Sequence, residues 1–308
     1  MIDTIYNEDC LEGMKRIGDG TVDFILTDLP YGITDCVWDK PIDLEKFWQE
    51  VKRILKPQSS AAMFASGKFS YELAFSNFEW FKYKWTWIKN KSTCFVHAKN
   101  CPMRKHEDIL IFSNGVINHE SLSPNTRMKY NPQGVIDIDC PSRYVGTTTE
   151  LWGHSKLLTE KQRRCEENLG VYDDCGLQLK SHRKANGLTR FNAKNKFGET
   201  YGTRPSQVDV YTTTKTGYPS DVLYFDVVHN VGKFNATQKP TDLLEYLIKT
   251  YTNEGELVLD ATIGSGSTAV AAINTNRHFI GFETEEKFFN IANRRIAEAR
   301  AKKAQELF

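Results

Sequence analysis

The chain has 308 residues, 40% of them hydrophobic, enough to bury one large domain or a core that carries an insertion. Forty Lys and Arg stand against 39 Asp and Glu, a formal net charge of +1, so the whole chain is no polycation and any nucleic-acid surface has to be a local patch. No apolar run reaches the length of a membrane span, and the opening MIDTIYNEDC has neither the basic region nor the apolar core of a signal peptide, so no membrane association and a cytoplasmic location are expected.

Seven cysteines form no CxxC pair, which predicts reduced thiols. Cys165, Cys175 and His182 have irregular spacing for a zinc site, and no metal is expected.

In chain order, TIYN, VDFILTD, AAMFAS, KYKWTWI and DILIFS read as strands. Between them LEKFWQEVKRIL repeats Leu44, Phe47, Val51 and Leu55 at helical spacing, with Pro57 as the expected stop. Residues 116 to about 217 are rich in Asn, Thr, Ser, Gly, Lys and Arg, and their apolar periodicity fades. From 178 to 217, eight basic residues (Lys180, Arg183, Lys184, Arg190, Lys194, Lys196, Arg204, Lys215) face two acidic ones (Glu199, Asp209), a local net of 8 − 2 = +6. Phe191, Phe197, Tyr201 and Tyr211 are interleaved with them. A solvated loop region has this composition, and so does a surface that touches phosphates and stacks on bases.

From about residue 220 the alternation resumes. VLYF, the helix TDLLEYLIKTY, the strand LVLDAT, a helix from Ser267, the strand HFIGFE and a final helix follow. The final helix opens with Thr284, Glu285 and Glu286 and closes among Arg300, Lys302 and Lys303, complementing the helix dipole at both ends. Two such blocks, about 3–115 and 220–305, predict an α/β fold with a doubly wound, mostly parallel sheet and an inserted region.

ELVLDATIGSGSTAVAAI is a strand, a glycine turn and a helix start. Gly264 and Gly266 let the backbone approach a ligand, and the helix N-terminus offers unpaired N–H groups. The spacing Gly264, Gly266, Ala269 fits the dinucleotide fingerprint GxGxxA, and Glu283, ending the next strand, is placed for ribose hydroxyls, so a nicotinamide dehydrogenase has to be weighed. Only 25 residues follow Glu283, too few for the second half of a dinucleotide domain unless the sheet continues at the N-terminus. In that case the strand ending at Asp28 comes close to the glycine loop, and VDFILTDLPYGITD forms the other half of one site.

DLPYG resembles the (D/N/S)PP(Y/F/W) motif of DNA amino-methyltransferases, and LDATIGSGSTA resembles their S-adenosylmethionine loop DPFxGSGTT. IGFE is similar to the ribose-binding strand end, ATQKPTDLLEYLI to the QKP segment before the loop, and YPSDVLYF to the strand before that. The order, catalytic motif then insert then cofactor loop, resembles the circularly permuted β arrangement of the class I fold, and DCVWDKPIDLEKFWQEV suggests phage or prophage enzymes. The resemblance covers roughly residues 3–115 and 218–300. It implies a catalytic domain over 1–115 and 218–308, a target-recognition insert over 116–217, S-adenosylmethionine as cofactor, double-stranded DNA as partner, a bacterial or phage-infected cell as the setting, and homodimerisation as an option.

Carried over by residue, the resemblance implies that Asp28, Leu29, Pro30 and Tyr31 hold a flipped target base. Asp260, Thr262, Gly264 and Gly266 would surround the methionine moiety, with Lys239 near its carboxylate and Asp28 alongside. Glu283 would bind the ribose, and Asp9 with Cys10 would edge the adenine. Lys180, Arg183, Lys184, Arg190, Lys194, Lys196 and Arg204 would contact DNA. FASGKFS and WTWIKNK match segments that line the pocket, without a residue singled out. Leu29 departs from the pattern where the family has proline; it keeps its carbonyl but not a ring-locked φ. Asp28 implies adenine-N6 transfer. Cytosine-N4 transfer, a DNA-binding relative with weakened catalysis, and methylation of RNA or of a protein glutamine stay open.

Overall fold

Strand alternation sorts the apolar side chains of one central sheet onto two faces. In β2 (Val22–Thr27) Phe24 and Leu26 enter one core and Ile25 the other; in β3 (Leu55–Ala65) Ala62 and Phe64 part from Ala61, Met63 and Ala65. In β5 (Arg104–Ser113) Ile109 and Ile111 part from Leu110 and Phe112. Successive side chains of a strand point to opposite faces, so a sheet buried on both sides needs apolar residues at every position.

The computed structural model describes residues 2–32, 40–117, 126–146, 209–228, 234 and 237–306. The chain divides into two compact units, Met1–Gln133 with Tyr218–Phe308, and Gly134–Gly217. The first holds an eight-stranded sheet in the order β1-β10-β9-β2-β3-β5-β4-β8. Its remaining strands are β1 (Thr4–Tyr6), β4 (Phe81–Thr93), β8 (Val222–Tyr224), β9 (Leu257–Asp260) and β10 (His278–Phe282). β5 runs antiparallel to its neighbours β3 and β4, and the other neighbouring pairs are parallel.

Six helices accompany the described sheet: α1 (Cys10–Met14), α2 (Leu44–Ile54), α3 (Lys68–Ser76), α4 (Thr241–Tyr251), α5 (Ser267–Asn274) and α6 (Glu286–Glu306). α2, capped by Asp43 on the Lys46 N–H, buries Phe47, Trp48, Val51 and Ile54 on the face of Ile25 and Met63. α4 buries Leu243, Leu244, Leu247, Ile248 and Tyr251 on the opposite face with Phe24 and Phe64. The helical i, i+3, i+4 pattern thus meets the strand pattern on each side.

As expected, the helix stops ahead of Pro57: α2 ends at Ile54, Leu55 is already extended, and Pro57 lies inside β3. A proline biases its predecessor, Lys56, toward extended backbone, so it acts here from within the strand. The short α1 and α3 carry little periodicity of their own and went unread in the sequence.

The second unit contains β6 (Ile136–Gly146) paired antiparallel with β7 (Asp209–Thr216), from Ile136 opposite Thr216 to Gly146 opposite Asp209. Gly217, at φ +77°, closes this pair, and a Cβ there would lie 2.6 Å from the Gly134 carbonyl oxygen.

Candidate active site

Four parallel strands end side by side: β1 at Tyr6, β10 at Phe282, β9 at Asp260 and β2 at Thr27. The residues that follow them emerge at the carboxyl edge of the sheet, where open α/β sheets bind ligands. A cavity of about 820 Å³ opens there, large enough for a cofactor-sized molecule. Asp9, Cys10, Asp28, Leu29, Pro30, Tyr31, Lys239, Asp260, Thr262, Gly264 and Glu283 all line it. Gly266, set one turn behind, caps α5 in left-handed backbone at φ +81°.

The turn after β2 and the loop after β9 are tied together. The Thr262 hydroxyl donates to the main-chain carbonyl of Asp28 at 2.9 Å, and lies 3.0 Å from the Thr27 hydroxyl. The Thr262 N–H donates to Asp260 Oδ1 at 3.1 Å, and the Thr268 hydroxyl to Asp260 Oδ2 at 2.6 Å. Burial pushes Asp260 up to about 6, against the pull of these donors.

Both carboxylate oxygens of Asp28 are engaged. The Tyr31 hydroxyl donates to Oδ1 at 2.7 Å, and the Lys239 ammonium pairs with Oδ2. Phe69 stacks on the Tyr31 ring with centroids 4.6 Å apart and so backs one of its faces. Leu29 is 1% exposed and packs into the apolar cluster that includes Phe282 and Ala261, which fills the place of a proline ring by burial.

Lys239 lines the same cavity. Its Nζ pairs with Asp28, lies 3.5 Å from Glu107 Oε2, and stands 4.8 Å from the centre of the Phe64 ring. Burial lowers its pKa, and the carboxylates of Asp28 and Glu107 more than reverse that, leaving it above the ordinary lysine value. Glu107 also pairs with Lys89, which lies over the Trp87 ring. Burial would raise Glu107, yet Lys239 and Lys89 hold it below the usual carboxylate range. Two cations and two anions thus form one partly buried network at the cavity.

The glycine loop is held from α6. Arg295 Nη1 donates to the Ser265 carbonyl at 2.6 Å and to the Ser265 and Ser267 hydroxyls at 3.1 Å each. A Cβ on Gly266 would come within 2.9 Å of Ala292 Cβ, so glycine is required there by both conformation and space. At the far side, Asp9 caps α1 by accepting from the Leu11 N–H at 2.8 Å. Burial raises the Cys10 thiol to about 12, which keeps it protonated and inert as a nucleophile. Burial also raises Glu283, whose Oε1 accepts from the Glu285 N–H at 2.8 Å.

Thr27, Thr268, Arg295 and Glu107 were missed in the sequence; Phe69 and Lys89 lay inside FASGKFS and WTWIKNK without being singled out. Lys180, Arg183, Lys184, Arg190, Lys194, Lys196 and Arg204 lie outside the described residues, as do Cys165, Cys175 and His182. Among the described residues no cluster of His, Cys, Asp and Glu could hold a metal ion, and no helix is long and apolar enough to cross a membrane.

A family model described as DNA methylase, of N6 and N4 type, matches residues 22–294. The chain is 24% identical to the type II methyltransferase M.HindIII of Haemophilus influenzae over 96% of each chain, and 22% identical to M.BglII of Bacillus subtilis over 94% of this chain and 68% of that one. Among solved structures it is similar to the M1.HpyAVI–SAM complex, with TM-score 0.53, 20% identity and coverage of 95% and 98% of the two chains. It is also similar to the cytosine-N4-specific PvuII DNA methyltransferase, with TM-score 0.54, 13% identity and coverage of 96% and 93%. The fold is the class I methyltransferase fold.

Proposed function

The chain belongs to the DNA methylase family whose model spans residues 22–294, and on that premise we propose that it transfers a methyl group from S-adenosylmethionine to the exocyclic N6 of an adenine extruded from duplex DNA. The observation that carries this reading is the Thr262 bridge, which brings Asp28 and the glycine loop into one cavity.

The residues present fit the cofactor. Gly264 lines the cavity and, like Gly266 behind it, has a positive φ that lets the backbone approach a ligand, and Asp9, Asp260 and Glu283 offer carboxylates to hydroxyl and ammonium groups. Asp260, Thr262, Gly264 and Gly266 would hold the methionine part, Glu283 the ribose, and Asp9 with Cys10 the adenine edge. When bound, the cofactor supplies an electrophilic methyl group on a sulfonium.

An exocyclic amine is a weak nucleophile because its lone pair is delocalised into the ring. Asp28 accepts one of its hydrogens and the Leu29 carbonyl the other, returning electron density to the nitrogen. Lys239 and the Tyr31 hydroxyl orient the Asp28 carboxylate, so the site is preorganised before the base arrives. Tyr31, backed by Phe69, offers a stacking platform that recovers about 1–3 kcal/mol of the unstacking cost. No covalent enzyme intermediate is needed.

The motif order, with the Asp28 turn before the insert and the glycine loop after it, supports the permuted β arrangement. The basic stretch at 178–217 supports target recognition by the insert at 116–217. Asp at position 28 supports adenine. Cytosine-N4 transfer is the second reading, since the amine chemistry is the same and the PvuII enzyme shares the fold.

Radiolabelled methyl transfer to unmethylated genomic DNA, followed by nucleoside analysis, tests the proposal. N6-methyladenine, absent with Asp28→Ala, is the expected product. N4-methylcytosine alone would overturn the choice of base, and no transfer to any DNA would overturn the enzyme reading.

A further inference from the structure

The hairpin between β4 and β5 leaves the sheet at the cavity and carries a surface that the chemistry above does not use. Thr93 pairs with Arg104 at its base, and Thr93, Cys94 and Arg104 line the cavity. Cys94 has left-handed backbone, φ 66° and ψ 35°, which a non-glycine residue adopts only under constraint. The chain turns there, and the next two side chains project into solvent: Phe95 is 80% and Val96 87% exposed. Residues 90–106 contain Lys91, Lys99, Arg104 and Lys105, all exposed, and no Asp or Glu. An exposed apolar pair in a connecting loop whose charged residues are all cationic over 90–106 is poorly suited to solvent and well suited to a polyanion with a hydrophobic interior.

Resting on the proposed base extrusion, we infer that Phe95 and Val96 form a wedge that enters the duplex beside the target, while Lys91 and Lys99 contact the flanking phosphates. Extrusion leaves a gap in the base stack, and apolar side chains that insert between base steps stabilise such distorted duplexes. Phosphate contact by the loop cations adds a salt-dependent attraction to the same loop. The wedge stands one residue beyond the cavity lining, so the gap and the site that receives the base are read by one continuous surface.

The test uses duplex oligonucleotides that carry the site found by methylome sequencing of expressing cells, fully paired or with a mismatch opposite the target base. Phe95→Ala with Val96→Ala lowers kcat/KM on the paired duplex by about tenfold or more, in line with one lost stacking contact. On the mismatched duplex, where extrusion costs less, the loss is under about threefold, and Phe95→Trp restores activity on the paired form. Lys91→Gln with Lys99→Gln lowers the salt slope of DNA binding by about two. Equal losses on both duplexes, no loss on the paired duplex, or an unchanged salt slope would each overturn the wedge. A change of sedimentation coefficient with unaltered activity would assign the tip to a protein contact instead. If the wild-type protein methylates its site and the double variant does so equally well, the wedge fails alone; if the wild type methylates no DNA, the functional reading fails and the wedge with it.

Discussion

The hydroxyl of Thr262 and the main-chain carbonyl of Asp28 are 234 positions apart in sequence and 2.9 Å apart in space. This hydrogen bond joins the loop after β9 to the turn after β2, the two halves of the proposed site. The parallel pairing of Phe24 with Val258 and Ile25 with Leu259 sets their distance. Thr262→Val keeps the shape and removes the donor, leaving a carbonyl without its partner. We expect a stability loss of about 1–2 kcal/mol by urea unfolding. Methyl transfer should fall about tenfold through misplacement of the Asp28 turn. Wild-type rates in a folded variant would show the bond to be incidental.

Lys239 faces two carboxylates at a site where its side chain is 11% exposed. Lys239→Met leaves Asp28 and Glu107 without their shared cation. Removing one partner from a buried ion network costs about 3 kcal/mol or more; Glu107 keeps Lys89 whereas Asp28 is left without a cation, so adding Asp28→Asn should recover part of it, because the uncompensated charge is then gone. Denaturant midpoints of the single and double variants measure this coupling. Strict additivity would contradict the network.

Asp260 titrates at about 6 in the folded protein and starts from 3.8 when exposed. Its folded pKa is raised, so between these values the folded state binds more protons than the unfolded state. Stability from this group therefore falls as pH rises from about 4 to 6, and is level above that. The amount is on the order of 2–3 kcal/mol. In Asp260→Asn this contribution is absent, so the stability of the variant minus that of the wild type should climb across the same window in chemical denaturation at stepped pH. A flat difference would place the Asp260 titration elsewhere.

Gly281 lies in β10 under the glycine loop, and a Cβ there would approach Ile263 Cδ1 to 2.3 Å. Gly281→Ala should destabilise by about 1–3 kcal/mol through overpacking and weaken S-adenosylmethionine binding by pushing the loop outward. Ile263→Val removes the clashing methyl group and should restore part of both. Calorimetry and thermal melting of the single and double variants measure the rescue; no recovery in the double variant would mean the clash is relieved elsewhere.

Much of the sheet was legible because a strand announces itself locally. VDFILT and LVLD are short apolar runs bounded by turn residues, and they became β2 and β9. The amphipathic spacing of residues 44–54 and 241–251 became α2 and α4. Gly264 and Gly266 declared a backbone that only glycine adopts cheaply, and the structure gives both a positive φ. Pro57 marked the end of α2 and also lies within β3.

The sequence by itself determined the order of elements, the two apolar faces and the residue types that line the cavity, since each of these follows from periodicity or from the intrinsic conformation of single residues. Only the tertiary structure decided who faces whom: Lys239 turned to Asp28 and Glu107, Arg295 closed on Ser265 and Ser267, and Phe69 backed Tyr31. Those pairings depend on strand order and register across long stretches of chain, and Coulombic and hydrogen-bonding partners have no local signature from which they can be read.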